Sequence, residues 1–343
     1  MPTFDPNAAA APGSGIYGLP HSPDDAGVIV LPVPFEATTS YGSGAADGPA
    51  AILAASRQVD LFDVETGRPY EAGIAMLDEP EEIRRWSEEA RALAAPLIQA
   101  GGADPSDAAA KAKLAHVDQL CEDMNAWVTA QAAHWLSAGK LVATVGGDHG
   151  TAFGAIRAHA DRYPGMGVLH VDAHADLREA YEGFTWSHAS ILFNVAQRLP
   201  RVSRIVQVAI RDLGEGEHQL IQRSGGRVRT FFDAELASRR FEGVPFNRVV
   251  DEIASALPDE VYVSFDIDGL DPVLCPHTGT PVPGGLSFAE ASALLAGLVR
   301  RRKRIVGLDL TEVAPGPLGD EWDGNVGARL LYKLIGWALK SRA

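Results

Sequence analysis

The sequence predicts an α/β protein with a mostly parallel β-sheet covered by helices, and three observations support this prediction. Short runs rich in Val, Ile and Leu recur along the chain, separated by stretches of helical character. The runs are apolar with little alternation, which is typical of parallel strands buried on both faces. With 46% hydrophobic residues, the 343-residue chain can fill one large core. The clearest strands are 27–33, 141–147, 166–172, 204–210, 260–268 and 304–310, with 228–232 as a further candidate.

The segments between these runs predict the remaining elements. An acidic, less regular stretch indicates a helical insertion at about 60–115. Residues 1–26 are rich in Pro, Ala and Gly, which predicts a flexible N-terminal arm. No repeat or long low-complexity linker interrupts residues 27–343, so we expect a single domain there. Helices are expected at 107–138, 151–162, 188–198, 287–301 and 325–340.

Composition and charge narrow the classes of partner. The formal net charge of −15 would repel phosphate backbones, so nucleic-acid binding is not expected, whereas a small cationic substrate would suit such a surface. No apolar run approaches the roughly 20 residues of a membrane helix. The N-terminus lacks the pattern of a signal peptide, and the chain has only two cysteines, Cys121 and Cys275. These features favour a cytoplasmic protein.

Four predicted strands run directly into unusual polar residues. The motifs are GGDHG (146–150), DAHAD (172–176), DIDGLDP (266–272) and TEVAP (311–315). Ligand sites of open parallel sheets form at the carboxyl ends of the strands, where the loops converge. We therefore expect one site rather than four unrelated ones. Its candidate residues are His149, Asp172, His174, Asp176, Asp266, Asp268 and Glu312.

The residue types at these strand ends suit a pair of divalent cations. Carboxylates and imidazoles are ligands for Mn²⁺, Ni²⁺, Fe²⁺, Co²⁺ or Zn²⁺ rather than Ca²⁺. The absence of cysteine among them argues against a structural zinc site. Two such ions would ionise a shared water near neutral pH. The spacing of Asp266 and Asp268 points both side chains to one side of a strand, so Asp266 can bridge the ions while Asp268 completes one of them.

The motifs GGDHG, DAHAD and SFDIDGLDP, in this order, resemble those of the ureohydrolase family of arginases, agmatinases and guanidino-acid hydrolases. The segments TTSYGSGAADGPAAI (38–52) and DLTEVAP (309–315) are similar to further family segments, so the resemblance covers about 27–340. It implies a three-layer α/β/α fold with a central, mostly parallel sheet of about eight strands. It also implies a homo-oligomer, a trimer or hexamer.

The family resemblance implies a ligand set for two metal ions. One ion would be held by His149, Asp172, Asp176 and Asp266, and the other by His174, Asp172, Asp266 and Asp268. Mn²⁺ is the family default, and Ni²⁺ is associated with the guanidine hydrolase branch. The residue types do not decide between the two metals.

The resemblance also implies roles in the reaction. Glu312 would bind and orient the planar guanidinium, whose forked donors match a carboxylate. Asp176 would hydrogen-bond the attacking hydroxide. His188, in FTWSHAS, stands where the family has a histidine that serves as general acid or proton shuttle.

The loop after DAHAD indicates the substrate less directly. It lacks the Asn- and Ser-bearing segment with which arginases hold arginine, which disfavours arginine. Phe184 and Trp186 are expected to wall off a short pocket, and Asn325 stands where agmatinase-like relatives carry Thr. The loop, arm and insertion are similar to the guanidine hydrolase branch. We therefore expect hydrolysis of free guanidine, or a small alkylguanidine, to urea and ammonia or an amine.

Other functions stay open at this point. Within the family, the alternative is an agmatinase or guanidinobutyrase. A metallo-deacetylase-like amidohydrolase would use a single zinc, and the additional His149, Asp176 and Asp268 argue against it. A non-catalytic subunit of a mixed oligomer would be expected to have lost ligands. The metal content per chain separates these classes.

Overall fold

The computed structural model describes residues 4–11 and 13–343. Its centre is an eight-stranded sheet in the order β2-β1-β3-β8-β7-β4-β5-β6, and every neighbouring pair is parallel. The strands are β1 (Val28–Val33), β2 (Ile74–Met76), β3 (Leu141–Gly146), β4 (Gly167–Val171), β5 (Arg204–Ile210), β6 (Val228–Phe232), β7 (Glu260–Asp266) and β8 (Arg304–Thr311).

Helices cover both faces of the sheet, which confirms the three-layer α/β/α prediction. One apolar core joins the sheet to α1, α7, α8, α9 and α10, and the other joins it to α2, α3, α4 and α5. The helices are α1 (Gly48–Ser56), α2 (Glu81–Gln99), α3 (Ala108–Ser137), α4 (Ala152–Arg162), α5 (Ile191–Arg198), α6 (Glu215–Arg223), α7 (Asp233–Phe241), α8 (Phe246–Ala256), α9 (Phe288–Arg300) and α10 (Trp322–Lys340). No helix of the described residues is long and apolar enough to cross a membrane.

The predicted strands all form, and the structure adds an edge strand. Strand β2 lies inside the 60–115 segment and pairs in parallel with β1, from Val28 opposite Ile74 to Val30 opposite Met76. Three residues are too few for a periodic pattern, so the sequence did not indicate this strand. The segment therefore contributes one strand to the sheet as well as α2.

Part of the predicted N-terminal arm packs on the core. Ile16 and Tyr17 are buried, and the Tyr17 hydroxyl donates a hydrogen bond to the carbonyl oxygen of Ala328 in α10 over 3.0 Å. The Tyr17 ring also lies 4.7 Å from the ring of Tyr332. Each such buried side chain contributes about 1.5–3 kcal/mol. This part of residues 1–26 therefore differs from the flexible arm that its composition predicts.

The strand order places the polar strand ends side by side. Strands β3, β8, β7 and β4 are consecutive in the middle of the sheet, and each is followed by one of the four polar motifs. The first of these motifs contains Gly147, where a Cβ would collide with the carbonyl of Phe35. Only glycine therefore allows the loop after β1 to pack against the motif after β3.

Candidate active site

The first group of site residues surrounds one nitrogen of His149. This histidine opens a short 3₁₀ helix just after β3. Its Nδ1 lies 3.0 Å from Asp172 Oδ2, 3.1 Å from Asp176 Oδ2 and 3.4 Å from Asp266 Oδ2. The three carboxylates come from the ends of β4 and β7 and from the loop after β4. Together they form a compact cage of carboxylate oxygens around one imidazole nitrogen.

A second group shares Asp172 with the first. Nδ1 of His174 lies 3.1 Å from Asp268 Oδ2 and 3.4 Å from Asp172 Oδ1. Asp172 thus directs one oxygen to each histidine. Asp268 does not continue β7 but lies in the 3₁₀ helix Ile267–Gly269, where its N–H donates to Asp266 Oδ1 over 2.9 Å. The two aspartates reach different histidines because the strand ends between them.

The site holds more negative charge than its protein neighbours balance. Asp172, Asp266 and Asp268 are each at most 3% exposed. Within residues 4–11 and 13–343, the ion-pair partners of these carboxylates are histidines, without lysine or arginine. Buried carboxylates without cationic partners cost several kcal/mol each, so bound cations would relieve the repulsion.

The pKa values of Asp176, His174 and His149 also reflect the high density of carboxylates in the site. Burial raises the pKa of Asp176 to about 7, and the neighbouring Asp172 carboxylate adds to the shift. Burial alone would lower the pKa of His174, but the Asp268 and Asp172 carboxylates raise it to about 12. The three carboxylates around His149 likewise outweigh its burial and raise its pKa. Positive charge is thus strongly favoured at both histidines.

The geometry and the donor types fit two divalent cations. Two sets of side chains place one ligand atom each within 4.8 Å of one another. These sets are His149, His170, Asp172 and Asp176 in the first, and Asp172, His174 and Asp268 in the second. Nitrogen and oxygen donors without sulfur suit metals such as Mn²⁺ and Ni²⁺.

His170 hydrogen-bonds Asp172 of the site. Gln207 Nε2 donates to His170 Nδ1 over 3.1 Å and to the Ala175 carbonyl over 2.7 Å. Because Nδ1 is an acceptor, the ring proton lies on Nε2 and is donated to Asp172 Oδ2 over 2.8 Å. His170 therefore orients Asp172.

Ser264 orients His149. The sequence analysis did not identify this residue. Nε2 of His149 lies 3.0 Å from Ser264 Oγ, which donates to Asp309 Oδ1 over 2.9 Å. These two hydrogen bonds orient the imidazole so that Nδ1 faces the carboxylates. Ser264 precedes Asp266 by two residues on β7, so both side chains lie on one face of the strand, and this spacing was a usable signal.

Two acidic residues of the site adopt a left-handed backbone. Asp176 has φ 53° and Glu312 has φ 61°, a region that residues other than glycine rarely occupy. Such strain concentrates at functional sites. Glu312 Oε1 accepts the backbone N–H of His149 over 2.9 Å, and Oε2 lies 3.5 Å from where a Cβ on Gly279 would stand. Burial and the charge of Asp266 raise the pKa of Glu312, so a cation beside it would keep it ionised.

His188 lies beside this cluster and is held by a hydroxyl group. Its backbone nitrogen is close to Gly150, the residue after His149. Thr38 Oγ1 lies 3.1 Å from His188 Nδ1 and accepts the His188 backbone N–H over 3.1 Å. Burial lowers the pKa of His188 to about 3, with the positive charges of His174 and His149 adding to the shift. The ring is therefore neutral at pH 7.

The prediction that Trp186 and Phe184 wall off a short pocket is wrong. Trp186 turns outward, where its ring meets Phe153 edge-on at 4.9 Å and its Nε1 donates to Glu122 Oε1 over 3.1 Å. It lines a cavity of about 680 Å³, hereafter the outer groove, whose walls also include Arg198. Phe184 has no exposed surface and belongs to the apolar core of the helix layer. Both rings fill apolar space between helices, which removes them from the pocket.

The side chain of Asn325 is engaged within its own helix. It is in the first turns of α10, and its Oδ1 accepts a hydrogen bond from Arg329 over 2.7 Å. Arg329 in turn donates to the carbonyl of Gln58. The contact of Asn325 with substrate stays a prediction.

Fold and site together define a class of protein: a three-layer α/β/α hydrolase with a candidate metal centre at the carboxyl edge of its sheet. The model of the arginase family matches residues 26–336. The chain is 34% identical to an N(1)-aminopropylagmatine ureohydrolase of Thermus thermophilus, covering 94% of each chain. It is 32% identical to an N(1)-aminopropylagmatine ureohydrolase of Synechocystis, covering 91% of this chain and 89% of the relative.

Solved structures show the same fold. The agmatine ureohydrolase of Thermoplasma volcanium superposes with a TM-score of 0.70 at 24% identity, covering 93% of this chain and 92% of that one. Proclavaminate amidino hydrolase from Streptomyces clavuligerus also gives 0.70 at 24% identity, covering 98% and 100%. The protein belongs to the arginase family. It is a ureohydrolase, a metal-dependent hydrolase of the C–N bond of a guanidino group.

Proposed function

We propose that the chain hydrolyses free guanidine, or a guanidine with a small alkyl group, to urea and ammonia or a small amine. The observation that carries this proposal is the enclosure of the site. Each acidic residue of the cluster is at most 5% exposed, from Asp172 at 0% to Asp176 and Glu312 at 5%. The outer groove is lined by other residues. The burial of Glu312 favours a substrate with a short tail or none.

The proposal includes the metal ligands. His149, Asp172, Asp176 and Asp266 would hold one divalent cation, and His174, Asp172, Asp266 and Asp268 the other. The distances around His149 support the first set, and those from His174 to Asp172 and Asp268 support three members of the second. When bound, the ions would supply activation of water as a nucleophile near neutral pH. Nickel is our first choice and manganese the alternative.

The chain's own residues would perform the rest of the reaction. Water adds its oxygen to the guanidino carbon, one C–N bond breaks, and the departing nitrogen takes up a proton. Glu312 would accept N–H groups of the guanidinium and so fix its plane. Asp176 would hydrogen-bond the attacking oxygen. His188 would accept a proton at its free nitrogen and deliver it to the departing nitrogen.

The test is urea release by the purified chain loaded separately with Ni²⁺ and Mn²⁺. Guanidine, methylguanidine, agmatine, 4-guanidinobutyrate and arginine are compared at equal concentration, and the metal content per chain is measured in parallel. We expect two ions per chain and the highest kcat/KM on guanidine or methylguanidine. No urea from any of these compounds with two ions bound would refute the proposal.

The second candidate is an agmatinase or guanidinobutyrase. The names of the relatives favour it, because two of them act on aminopropylagmatine. The failure of Trp186 and Phe184 to form a wall also removes one argument for a short substrate. A preference for agmatine over guanidine in the same assay would establish this alternative and leave the assignment of the metal ligands intact.

The assembly and location are part of the proposal. The trimer or hexamer and the cytoplasmic location are both predictions from the sequence. Light scattering of the metal-loaded chain, with three or six subunits expected, tests the first. Fractionation of the producing cell tests the second.

A further inference from the structure

Thr38 makes two contacts with His188 and one with the neighbouring Ser187. Its Oγ1 accepts the His188 backbone N–H over 3.1 Å and lies 3.1 Å from His188 Nδ1. Its hydroxyl donates to Ser187 Oγ over 3.5 Å. Thr38 is 1% exposed, so water does not compete for these bonds. The side chain comes from the loop after β1, whereas His188 belongs to the loop after β4.

These contacts let one hydroxyl hold the ring in either protonation state. A threonine hydroxyl has one proton and two lone pairs. One lone pair accepts the backbone N–H of His188, so the hydroxyl can bond Nδ1 either by donating its proton or by accepting Nδ1–H. The 3.1 Å contact with Nδ1 is shorter than the 3.5 Å contact with Ser187 Oγ, so the ring is the closer partner.

We propose that Thr38 is the positioning residue of His188, holding its backbone and its ring in one orientation. This inference rests on the proposed function, in which His188 carries the proton to the departing nitrogen. The contact is compatible with proton transfer, because the hydroxyl can donate to a bare Nδ1 and accept from Nδ1–H in the imidazolium. A hydroxyl at this place thus serves both protonation states of the ring.

Thr38 is also hydrogen-bonded to the GGDHG motif, which contains the candidate metal ligand His149. Asp148 Oδ2 accepts the backbone N–H of Ala37 over 3.0 Å, and the Thr38 N–H also bonds this carboxylate. Asp148 immediately precedes His149 and is 3% exposed. Hydrogen bonds through Thr38 and Asp148 therefore connect His188 to the loop that carries His149. Displacements near 1 Å can reduce catalysis about 10²-fold, so such a rigid link matters.

Ser187 is the rival for this role. Its Oγ lies 3.4 Å from His188 Nδ1, longer than the Thr38 contact, and already accepts the Ala189 N–H over 3.3 Å. If Ser187 held the ring, its removal would have the larger effect. The two hydroxyls can be removed one at a time.

The experiment compares Thr38→Val, Thr38→Ser and Ser187→Ala in the metal-loaded enzyme. Valine keeps the shape and removes the hydroxyl, and Thr38→Ala repeats the removal without a branched side chain. We expect kcat to fall about 10- to 100-fold in Thr38→Val and Thr38→Ala, with KM and metal content within about threefold of wild type. Thr38→Ser should recover kcat to within about threefold, and Ser187→Ala should change it by no more than that.

Crystal structures of metal-loaded wild type and Thr38→Val supply a second measurement that needs no substrate. A rotated His188 ring in the valine variant supports the inference. The inference is overturned by an unchanged ring together with kcat within twofold of wild type, by a serine variant as impaired as valine, or by a larger loss in Ser187→Ala. A wild-type enzyme that releases no urea would end the proposed function, while the ring orientation would still decide the role of Thr38.

Discussion

Trp186 and His188 stand two residues apart in one loop, yet they belong to different regions of the molecule. His188 lies beside the acidic cluster at the edge of the sheet and contacts Thr38 from another loop. Trp186 lies in the outer groove, where Arg198 packs over its ring at 4.7 Å. Closeness in sequence therefore did not predict a shared role. In this loop, the local turn decides which side chain faces the site.

Strand ends behave differently from this loop. Asp172 and Asp266 lie at the ends of parallel strands whose directions and spacing the sheet imposes, so their meeting point is common to any such sheet. Side chains of a loop have no such shared direction. Residues of the cluster should therefore control activity, and those of the outer groove should control stability alone.

The largest effect is expected from Asp266→Asn. The amide is a weaker ligand and leaves Nδ1 of His149 with one charged neighbour fewer. We expect loss of about one metal ion per chain and a fall in urea release on the order of 10³-fold. Metal analysis and the urea assay measure both.

The matched control is Asp271→Asn, five residues further along the same motif. Asp271 Oδ1 accepts the local N–H of Val273 over 3.0 Å. Its substitution should leave the metal content at two ions. Equal losses in both variants would contradict the division between the cluster and its surroundings.

Glu312→Gln should have the next largest effect. A carboxylate that hydrogen-bonds a guanidinium contributes about 1.5–3 kcal/mol, so kcat/KM should fall roughly 10- to 100-fold with unchanged metal content. The control is Glu321→Gln, the same chemical change at an exposed position before α10. Unaltered kcat/KM in the Glu312 variant would remove this residue from substrate binding.

Trp186→Leu tests the other region. It removes the edge-on contact with Phe153 and the Arg198 contact, so the free energy of unfolding should fall by about 2 kcal/mol. Activity should stay within about threefold of wild type. Denaturant unfolding and the urea assay together decide the matter. A large rise in KM for guanidine would show that Trp186 contributes to substrate binding.

The smallest effect concerns His159 in α4, a buried histidine outside both regions. Burial lowers its pKa to about 4, whereas an unfolded histidine titrates near 6.5. Between these values the unfolded chain binds more protons, so the free energy of unfolding falls as pH drops from about 6.5 to 4, by up to about 3 kcal/mol. Above pH 6.5 the contribution is fully present.

Thermal unfolding of wild type and His159→Gln at pH 7.5 and 5 measures this contribution. The variant should lose less stability than wild type between the two pH values, since glutamine does not titrate. The exposed His134 provides a control substitution, His134→Gln, which should behave like wild type. An identical pH response of wild type and His159→Gln would show that the buried imidazole does not cause the loss.

The sequence identified the fold and the composition of the cluster because both depend on local pattern. Apolar runs without alternation indicated buried parallel strands, and the polar residues directly after them had to meet at one edge. The supporting residues were harder to find. Thr38, Ser264 and Gln207 are ordinary polar residues, and only their distances to a histidine reveal their contribution.

By itself, then, the sequence determined which residues form the cluster, since their positions follow from strand order. Tertiary structure decided what lies around it. Trp186 packs against Phe153 of α4 and Phe184 joins the apolar core of the helix layer, because packing against distant elements outweighs the neighbourhood in sequence. The contact of Thr38 with His188 joins residues 150 positions apart, and only the folded chain brings them together.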